Sequence, residues 1–191
     1  MQKIRWARRL WHLTGVPIAL IYWLCFAPEG RTTAVLICLP FTAVFLGLDV
    51  AKWRSQHVRD WILGRLGAIA SPRDLKNLNS SSWYMLGCTL TIALFDAPAA
   101  VTGILILAVA DNAASIIGQL WGRHRIGDKS IEGTAAFFLV GWLVGLPFGS
   151  AVAALGAALF SGLAELFIPR IDDNFIIPPL AATGFWLASY L

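Results

Sequence analysis

Long apolar runs separated by short polar breaks extend over the whole chain. A helix needs about 20 mostly apolar residues to cross ~30 Å of hydrocarbon, and turn-forming residues such as Asp96-Ala97-Pro98 separate the runs. The pattern therefore predicts an all-α fold, a polytopic transmembrane helical bundle. Seven spans are predicted: Leu13–Phe26, Thr33–Leu48, Trp83–Phe95, Ala99–Leu120, Thr134–Phe148, Ala151–Phe167 and Phe175–Leu191.

The connection after the second span has a different, amphipathic pattern. Between Asp49 and Ala70, apolar residues recur at three- and four-residue spacing, and Lys or Arg residues interrupt them. This pattern is typical of a helix that lies in the membrane interface. We therefore expect Asp49–Ala70 to form a cytoplasmic interfacial helix. The alternative is a cytoplasmic extension of the second span.

The last predicted span contains Pro178 and Pro179, which interrupt helices. If the helix begins at Pro178, it has 14 residues and reaches only ~21 Å. Residues Asp172–Ile177 would then be irregular backbone at the membrane surface, which is tolerated where it lines a polar site. The alternative is an N-cap aspartate and a solvated turn.

Composition and charge narrow the class of protein. The 191 residues suit one domain, so residues 1–191 are treated as a single unit. Hydrophobic residues make up 58% and charged residues 14%, which excludes ordinary soluble and disordered chains. With the N-terminus inside, 14 of the 15 Lys and Arg residues lie on the cytoplasmic side. We expect an inner-membrane protein with its C-terminus outside, and we expect no nucleic-acid partner.

Polar residues beside the spans form three groups on the predicted cytoplasmic face. Such residues are costly in hydrocarbon, so each is a functional candidate. The first group is Arg8-Arg9-Leu10-Trp11-His12, in which Arg8 and His12 lie one helical turn apart. The alternative for this group is a positively charged flank of the first span.

The second group surrounds the loop after the fourth span. Phosphate groups are commonly bound by glycine-rich backbone, by Lys or Arg side chains and by a helix N-terminus, and this segment contains all three. It is not a Walker A motif, because the spacing of that motif is absent. The alternative, helix packing followed by a basic loop, explains the glycines and cations but not Asp111 inside an apolar span. The candidates are Asp111, Asn112, Ser115, Gly118, Gly122, Arg123, Arg125, Lys129, Ser130, Glu132 and Gly133.

The third group contains Glu165, Asp172, Asp173 and Asn174. Carboxylate and amide oxygens at this density suit Mg²⁺, and Asp111 is a further candidate ligand. An acidic group and a phosphate-binding group on one membrane face suggest phosphoryl transfer from a nucleotide–Mg²⁺ complex. The acceptor would be a hydroxyl-bearing lipid from the bilayer.

Together these groups resemble the CTP-dependent polyprenol and lipid kinases, namely dolichol kinase, phytol kinase and CTP-dependent diacylglycerol kinase. The resemblance is carried by Arg8-Arg9-x-x-His12, by Asp111–Gly118, by Lys129–Gly133, and by Glu165 with Asp172–Pro178. It implies CTP as the phosphoryl donor, a lipid alcohol as the acceptor, and a nucleotide site around Asp111–Glu132.

Residue chemistry and the resemblance together give a set of roles. Asp111, Lys129, Glu132 and Asp173 are the predicted catalytic residues. Glu132, Glu165 or an aspartate of the third group can accept the lipid hydroxyl proton. Mg²⁺ is assigned to Asp111, Glu165, Asp172, Asp173 and Asn174. Nucleotide binding is assigned to Arg8, His12, Asn112, Ser115, Gly118, Gly122, Arg123, Arg125, Ser130 and Gly133.

Two other functions remain open. A phosphatidate cytidylyltransferase-like enzyme would also use CTP, although its Lys-Asp and Gly-His-Gly-Gly signature is absent from this C-terminus. A transporter of an anionic solute would use the same helix ends and carboxylates, but its acids should lie at mid-membrane rather than towards one face.

Overall fold

The computed structural model describes residues 6–27, 30–66, 77–127, 129–167 and 171–191, which form helices and one short β-hairpin. In chain order these elements are α1 (Trp6–His12), α2 (Gly15–Ile21) with a π-helical end (Tyr22–Phe26), α3 (Arg31–Arg54), α4 (Gln56–Leu66), α5 (Ser80–Leu94), α6 (Ala97–Leu105), a π-helical segment (Ile106–Ala110), α7 (Asp111–Leu120), β1 (Arg125–Ile126), β2 (Lys129–Ser130), α8 (Ile131–Gly145) with a 3₁₀ end (Leu146–Phe148), α9 (Ala151–Phe167) and α10 (Asp173–Ala188).

Within these ranges, four continuous helical stretches are long and apolar enough to cross a membrane: Trp6–Phe26, Arg31–Arg54, Ala97–Leu120 and Ile131–Phe148. They contain the first, second, fourth and fifth predicted spans. The other three predicted spans correspond to α9, α5 and α10, which have only 15 to 17 residues. The helical fold of an integral membrane protein is therefore confirmed, while the number of seven spans stays a prediction.

The connection after α3 differs from the predicted interfacial helix. Helix α3 continues to Arg54, extended backbone at Ser55 ends it, and α4 follows. The predicted start at Asp49 was therefore wrong. Asp49 and Lys52 neutralise each other inside the protein, so their positions do not mark a solvent-facing side. An interfacial location of α4 stays a prediction, and residues 67–70 lie outside the described ranges.

Helix α10 begins at Asp173 and not at Pro178, so residues Asp173–Ile177 are helical and not irregular backbone. The alternative, an N-cap aspartate, is confirmed at Asp172. Its carboxylate accepts a hydrogen bond from the Asn174 backbone N–H at 3.0 Å. Pro178 and Pro179 lie inside the helix and do not end it.

The neighbouring helix compensates for these two prolines. Because proline has no N–H, the carbonyl groups one turn earlier, at Asn174 and Phe175, lose their usual helical donors. Helix α5 reaches these carbonyls through Gly87, where a Cβ atom would lie 2.6 Å from the Asn174 oxygen and 3.0 Å from the Phe175 oxygen. Only glycine, which has no side chain, allows the two helices to approach this closely. The Cα–H groups of Gly87 then lie beside the two carbonyl oxygens that lack N–H donors.

Helix α6 and the π-helical segment that follows it form the centre of the bundle. Val101, Ile104 and Leu107 are fully buried there. Helix α10 packs against α5, α6 and α9, and α8 packs against α7 and α9. The π-helical segment ends directly before Asp111, so an acidic residue follows a buried apolar stretch. Single π turns inside α-helices are frequent at functional sites.

We predict that Gly87→Ala lowers the stability of the protein. The added methyl group must push α5 away from α10, and overpacking of this kind costs about 1–3 kcal/mol. Thermal unfolding in detergent measures the loss. Gly47→Ala is the matched control, because a Cβ at this helical glycine meets no atom within 4 Å. Equal melting temperatures for the two variants would show that the close approach is not required.

Candidate active site

Lys129 joins two helix ends that are distant in sequence. Its ammonium donates to Glu165 Oε1 at 2.7 Å, near the end of α9, and to Asp173 Oδ2 at 3.0 Å, at the start of α10. The Glu165 residue is only 6% exposed, whereas Lys129 and Asp173 are partly exposed. The structure thus brings the second and third predicted groups together at one lysine.

Asp111 adds a third carboxylate. It begins α7, is partly buried, and interacts electrostatically with Lys129, Arg8 and Arg9. The carboxylates at the ends of α9 and α10 lie within electrostatic range of Asp111 as well. Acids and cations therefore balance each other at one end of the bundle. These residues are called the charged cluster below: Asp111, Glu165, Asp173, Lys129, Arg8 and Arg9.

Arg9 connects α1 to α7. Its guanidinium donates to the Ser115 hydroxyl and, at 3.4 Å, to Asn112 Oδ1. The Asn112 side-chain amide donates in return to the Arg9 backbone carbonyl at 3.1 Å. Asn112 and Ser115, both predicted to bind the nucleotide, thus have partners within the protein. Arg9 was part of the first predicted group but was not assigned to nucleotide binding, because the one-turn spacing selected Arg8 and His12 on another side of the helix.

Arg8 and His12 have different surroundings, although they share a helix face. Arg8 Nη2 donates to the Ser80 hydroxyl at 3.0 Å. His12 is 4% exposed and packs edge-on against Tyr84, with ring centroids 5.6 Å apart. The Tyr84 hydroxyl donates to the His12 backbone carbonyl at 3.1 Å. His12, at the end of α1, is therefore buried against α5. Of the two residues, only Arg8 belongs to the charged cluster.

Ser130 is packed among three glycines of the second predicted group. Its hydroxyl accepts a hydrogen bond from the Gly133 N–H at 3.1 Å and so caps α8. A Cβ atom would lie 2.9 Å from this hydroxyl oxygen at Gly118, 2.7 Å at Gly122 and 3.0 Å at Gly133. These contacts agree with the helix-packing alternative, because they let α7 approach the start of α8. Direct contact of these four residues with a nucleotide stays a prediction.

Glu132 lies in the first turn of α8 and bonds His124, which precedes β1. Its Oε1 is 2.8 Å from His124 Nδ1 and accepts a hydrogen bond from the His124 backbone N–H at 3.3 Å. The His124 side chain is 73% exposed. Arg123 and Arg125 are exposed on the same hairpin, which turns at Gly127 with φ +59°. Glu132 thus bonds a histidine of this loop, whereas Lys129 bonds Asp173 and Glu165.

The five predicted metal ligands separate into two sets. Asp172 Oδ1 accepts hydrogen bonds from the Asn174 backbone and side-chain amides at 3.0 and 2.7 Å, so these two residues bond each other. The other three ligands belong to the charged cluster. In the part of the chain that the structure describes, no three His, Cys, Asp or Glu side chains are arranged as a metal site. Glu165 Oε2, however, is buried without a hydrogen-bond partner.

Lys129 remains charged at ordinary pH. Burial alone would lower the pKa of its ammonium, but the nearby carboxylates of Asp173 and Glu165 outweigh burial and raise the pKa above the usual lysine value. Burial raises the pKa of Asp172, and the hydrogen bonds from Asn174 offset part of that rise. A fixed and permanently charged lysine is suited to contact phosphate oxygens.

A second charged network lies between α3 and α5, and the sequence prediction missed it. Asp49 and Lys52 are 0% and 1% exposed and form an ion pair at 2.5 Å. Asp49 Oδ2 accepts hydrogen bonds from the Asn79 N–H at 2.9 Å and the Ser82 hydroxyl at 2.5 Å. Lys52 also donates to the Asn77 carbonyl at 2.7 Å. The available signal was an acid and a base three residues apart at the end of an apolar span.

No family model and no solved structure matches the chain. The chain is 30% identical to dolichol kinase EVAN of Arabidopsis thaliana, over 88% of this chain and 33% of that protein. It is 36% identical to phytol kinase of Synechocystis sp., over 48% of this chain and 45% of that protein. It is 32% identical to CTP-dependent diacylglycerol kinase 1 of Eremothecium gossypii, over 59% of this chain and 36% of that protein. The chain thus spans less than half the length of these relatives.

We predict that Lys129→Met destabilises the protein by about 1–3 kcal/mol, because it leaves the buried carboxylate of Glu165 without its charged donor. Lys129→Arg should retain part of that stability, since it keeps the charge. The measurement is thermal unfolding in detergent. Arg123→Met, which removes an exposed cation from the same loop, is the control. A loss no larger than that of the control would mean that the ion pairs do not stabilise the fold.

Proposed function

Because this chain belongs to the lipid kinase family that includes dolichol kinase, phytol kinase and CTP-dependent diacylglycerol kinase, we propose that it transfers the γ-phosphate of CTP to a lipid alcohol. The observation that carries the proposal is the charged cluster, in which Lys129 bridges Glu165 and Asp173 beside Asp111. Phosphoryl transfer needs positioning and charge neutralisation more than covalent help. A charged cluster at the end of an apolar bundle is accessible both to a nucleotide from the aqueous phase and to a lipid alcohol from the bilayer.

The cations of the cluster are assigned to the phosphates of the nucleotide. Lys129 and Arg8 both act electrostatically on Asp111, so phosphates bound by these cations would lie beside a carboxylate. Guanidinium and ammonium groups form strong charge-assisted hydrogen bonds to phosphate oxygens and neutralise charge in the transition state. The exposed Arg123 and Arg125 would contact the nucleotide from the hairpin.

Magnesium fits this cluster as part of a nucleotide complex. Mg²⁺ on a nucleotide is usually held by one or two carboxylates plus phosphate oxygens, so a cage of protein ligands is not needed. We assign it to Asp111 and to Glu165, whose Oε2 is buried and unpartnered. Asp172 and Asn174 are left out because they bond each other. When bound, the ion would neutralise charge on the transferred phosphoryl group.

Asp173 is assigned as the proton acceptor for the lipid hydroxyl. One of its oxygens is held by Lys129 at 3.0 Å, and its side chain is 36% exposed, so an acceptor can reach the carboxylate. Glu132 is less suited to this role, because it bonds the exposed side chain of His124. The charge asymmetry along the chain supports placing this reaction at the cytoplasmic face of the inner membrane.

The first prediction from this proposal concerns label transfer. Purified protein in detergent, given γ-labelled CTP or ATP with Mg²⁺, should label at least one of phytol, geranylgeraniol, dolichol and diacylglycerol. Asp111→Asn and Lys129→Ala should reduce the rate by about 100-fold or more, because each removes a charge that the transition state needs. Asp96→Asn, an exposed carboxylate roughly 20 Å along the central helix from Asp111, is the matched control.

Absence of label from every lipid would contradict the proposal, as would unchanged rates in both cluster variants. A separate measurement distinguishes the kinase from a cytidylyltransferase. Lipid product should carry label from γ-labelled CTP and none from α-labelled CTP, because a kinase breaks the bond to the terminal phosphate. Label from the α position would favour cytidylyl transfer instead.

A further inference from the structure

The buried pair of Asp49 and Lys52 lies outside the charged cluster but holds a segment that contacts it. Burying two charges is expensive, and their mutual attraction rarely stabilises a fold more than apolar residues of similar size would. A pair that is 0% and 1% exposed is therefore weak support for stability alone. Its hydrogen bonds show what it holds in place.

Both members of the pair bond the start of α5, Asp49 at its N-cap and first turn and Lys52 at the N-cap and the residue two before it. Asp49 Oδ2 accepts from the Asn79 N–H and from the Ser82 hydroxyl, so an acid of α3 supplies a cap that α5 lacks from its own side chains. Lys52 donates to the Asn77 carbonyl at 2.7 Å and to Asn79 Oδ1 at 3.3 Å. The pair therefore contacts the chain on both sides of Asn79, at Asn77 and at Ser82.

Ser80 lies in the same turn and receives the hydrogen bond of Arg8. The distance from Arg8 Nη2 to Ser80 Oγ is 3.0 Å, and the charge of Arg8 acts on Asp111 and Asp172. A chain of contacts therefore runs from the buried pair, through the start of α5, to a cation of the charged cluster.

We propose that Asp49 and Lys52 are positioning residues, which hold the first turn of α5 so that Ser80 keeps Arg8 at the charged cluster. The proposal rests on the proposed function, because Arg8 is assigned there to the nucleotide phosphates. It predicts that loosening the pair weakens nucleotide binding and frees α1, while the reaction of bound nucleotide changes little.

Helices α3 and α5 contain a matched control for general loosening. The hydroxyls of Thr42 and Thr89 lie 2.9 Å apart between the same two helices and are also buried. This contact lies earlier in α3 than Asp49 and later in α5 than Ser82, and it does not involve the first turn of α5. If the buried pair only joined α3 to α5, Thr42→Val would have the same consequences for α1.

The first measurement is backbone hydrogen–deuterium exchange of α1 by mass spectrometry on the full chain in detergent, which needs no activity. Asp49→Asn, Ser82→Ala and Ser80→Ala should each accelerate exchange in α1, whereas Thr42→Val should leave it at the wild-type rate. Ser82→Ala removes one hydrogen bond to Asp49 and keeps the ion pair, so it tests the proposal even if Asp49→Asn fails to fold.

The second measurement is nucleotide KM and kcat. Ser82→Ala and Ser80→Ala should each raise KM by about tenfold with a smaller change in kcat, and the double variant should be no worse than Ser80→Ala alone. Additive effects would overturn the proposal. So would unchanged exchange in α1 for Ser82→Ala, or equal acceleration in Thr42→Val. If wild-type protein transfers no phosphate, the proposed function fails, and the exchange data still decide whether the pair positions α1.

Discussion

Carboxylates can collect at the end of an apolar bundle only if cations lie among them, and Lys129 is the cation on which this arrangement depends. Its ammonium bonds Glu165 and Asp173 and therefore holds the ends of α9 and α10 together. The hairpin delivers Lys129 to that position, and the capping of α8 by Ser130 fixes the end of the hairpin. The cap at Ser130 and the hairpin turn thus help to place Lys129 in its ion pairs with Glu165 and Asp173.

Polar contacts also decide how the remaining helices meet the cluster. In a lipid environment the hydrophobic effect does not drive helices together, so close packing and hydrogen bonds select one arrangement over others. Arg9 bonds Ser115 and so ties α1 to α7, and the threonine pair at Thr42 and Thr89 joins α3 to α5. Gly87 serves the same purpose by close approach, since it brings α5 to the carbonyls that the prolines of α10 leave without donors.

Much of the fold could be predicted, because a long apolar run indicates a membrane-crossing helix without any knowledge of the helices that pack against it. The α9 bounds Ala151–Phe167 agree with the prediction residue for residue. Prediction failed where tertiary contacts override a local rule. The prolines of α10 are tolerated because α5 lies against the freed carbonyls, and Asp49 is buried because Lys52 neutralises it. Neither compensation is visible in a single segment of sequence.

The sequence allowed the residues of the site to be identified, but it did not predict which side chains contact each other. Spacing along the chain indicated Lys129, Asp173 and Glu165, since acids and cations beside apolar spans are costly without a role. It also grouped Glu132 with them, although that side chain bonds His124 at the surface. Sequence distance places residues on a face of a helix, whereas the partner of each charge depends on how separate helices pack.

The π-helical segment Ile106–Ala110 makes the type of helical turn a determinant of the position of Asp111. An α-helix rotates by about 100° per residue, and a π turn accommodates one residue more than an α turn. The wide turn absorbs this extra residue and therefore sets the angle between the buried face of α6 and the side of α7 that carries Asp111. If the same five residues formed a regular α-helix instead, Asp111 would turn away from Lys129 by roughly a quarter of a revolution, with every charged side chain still present.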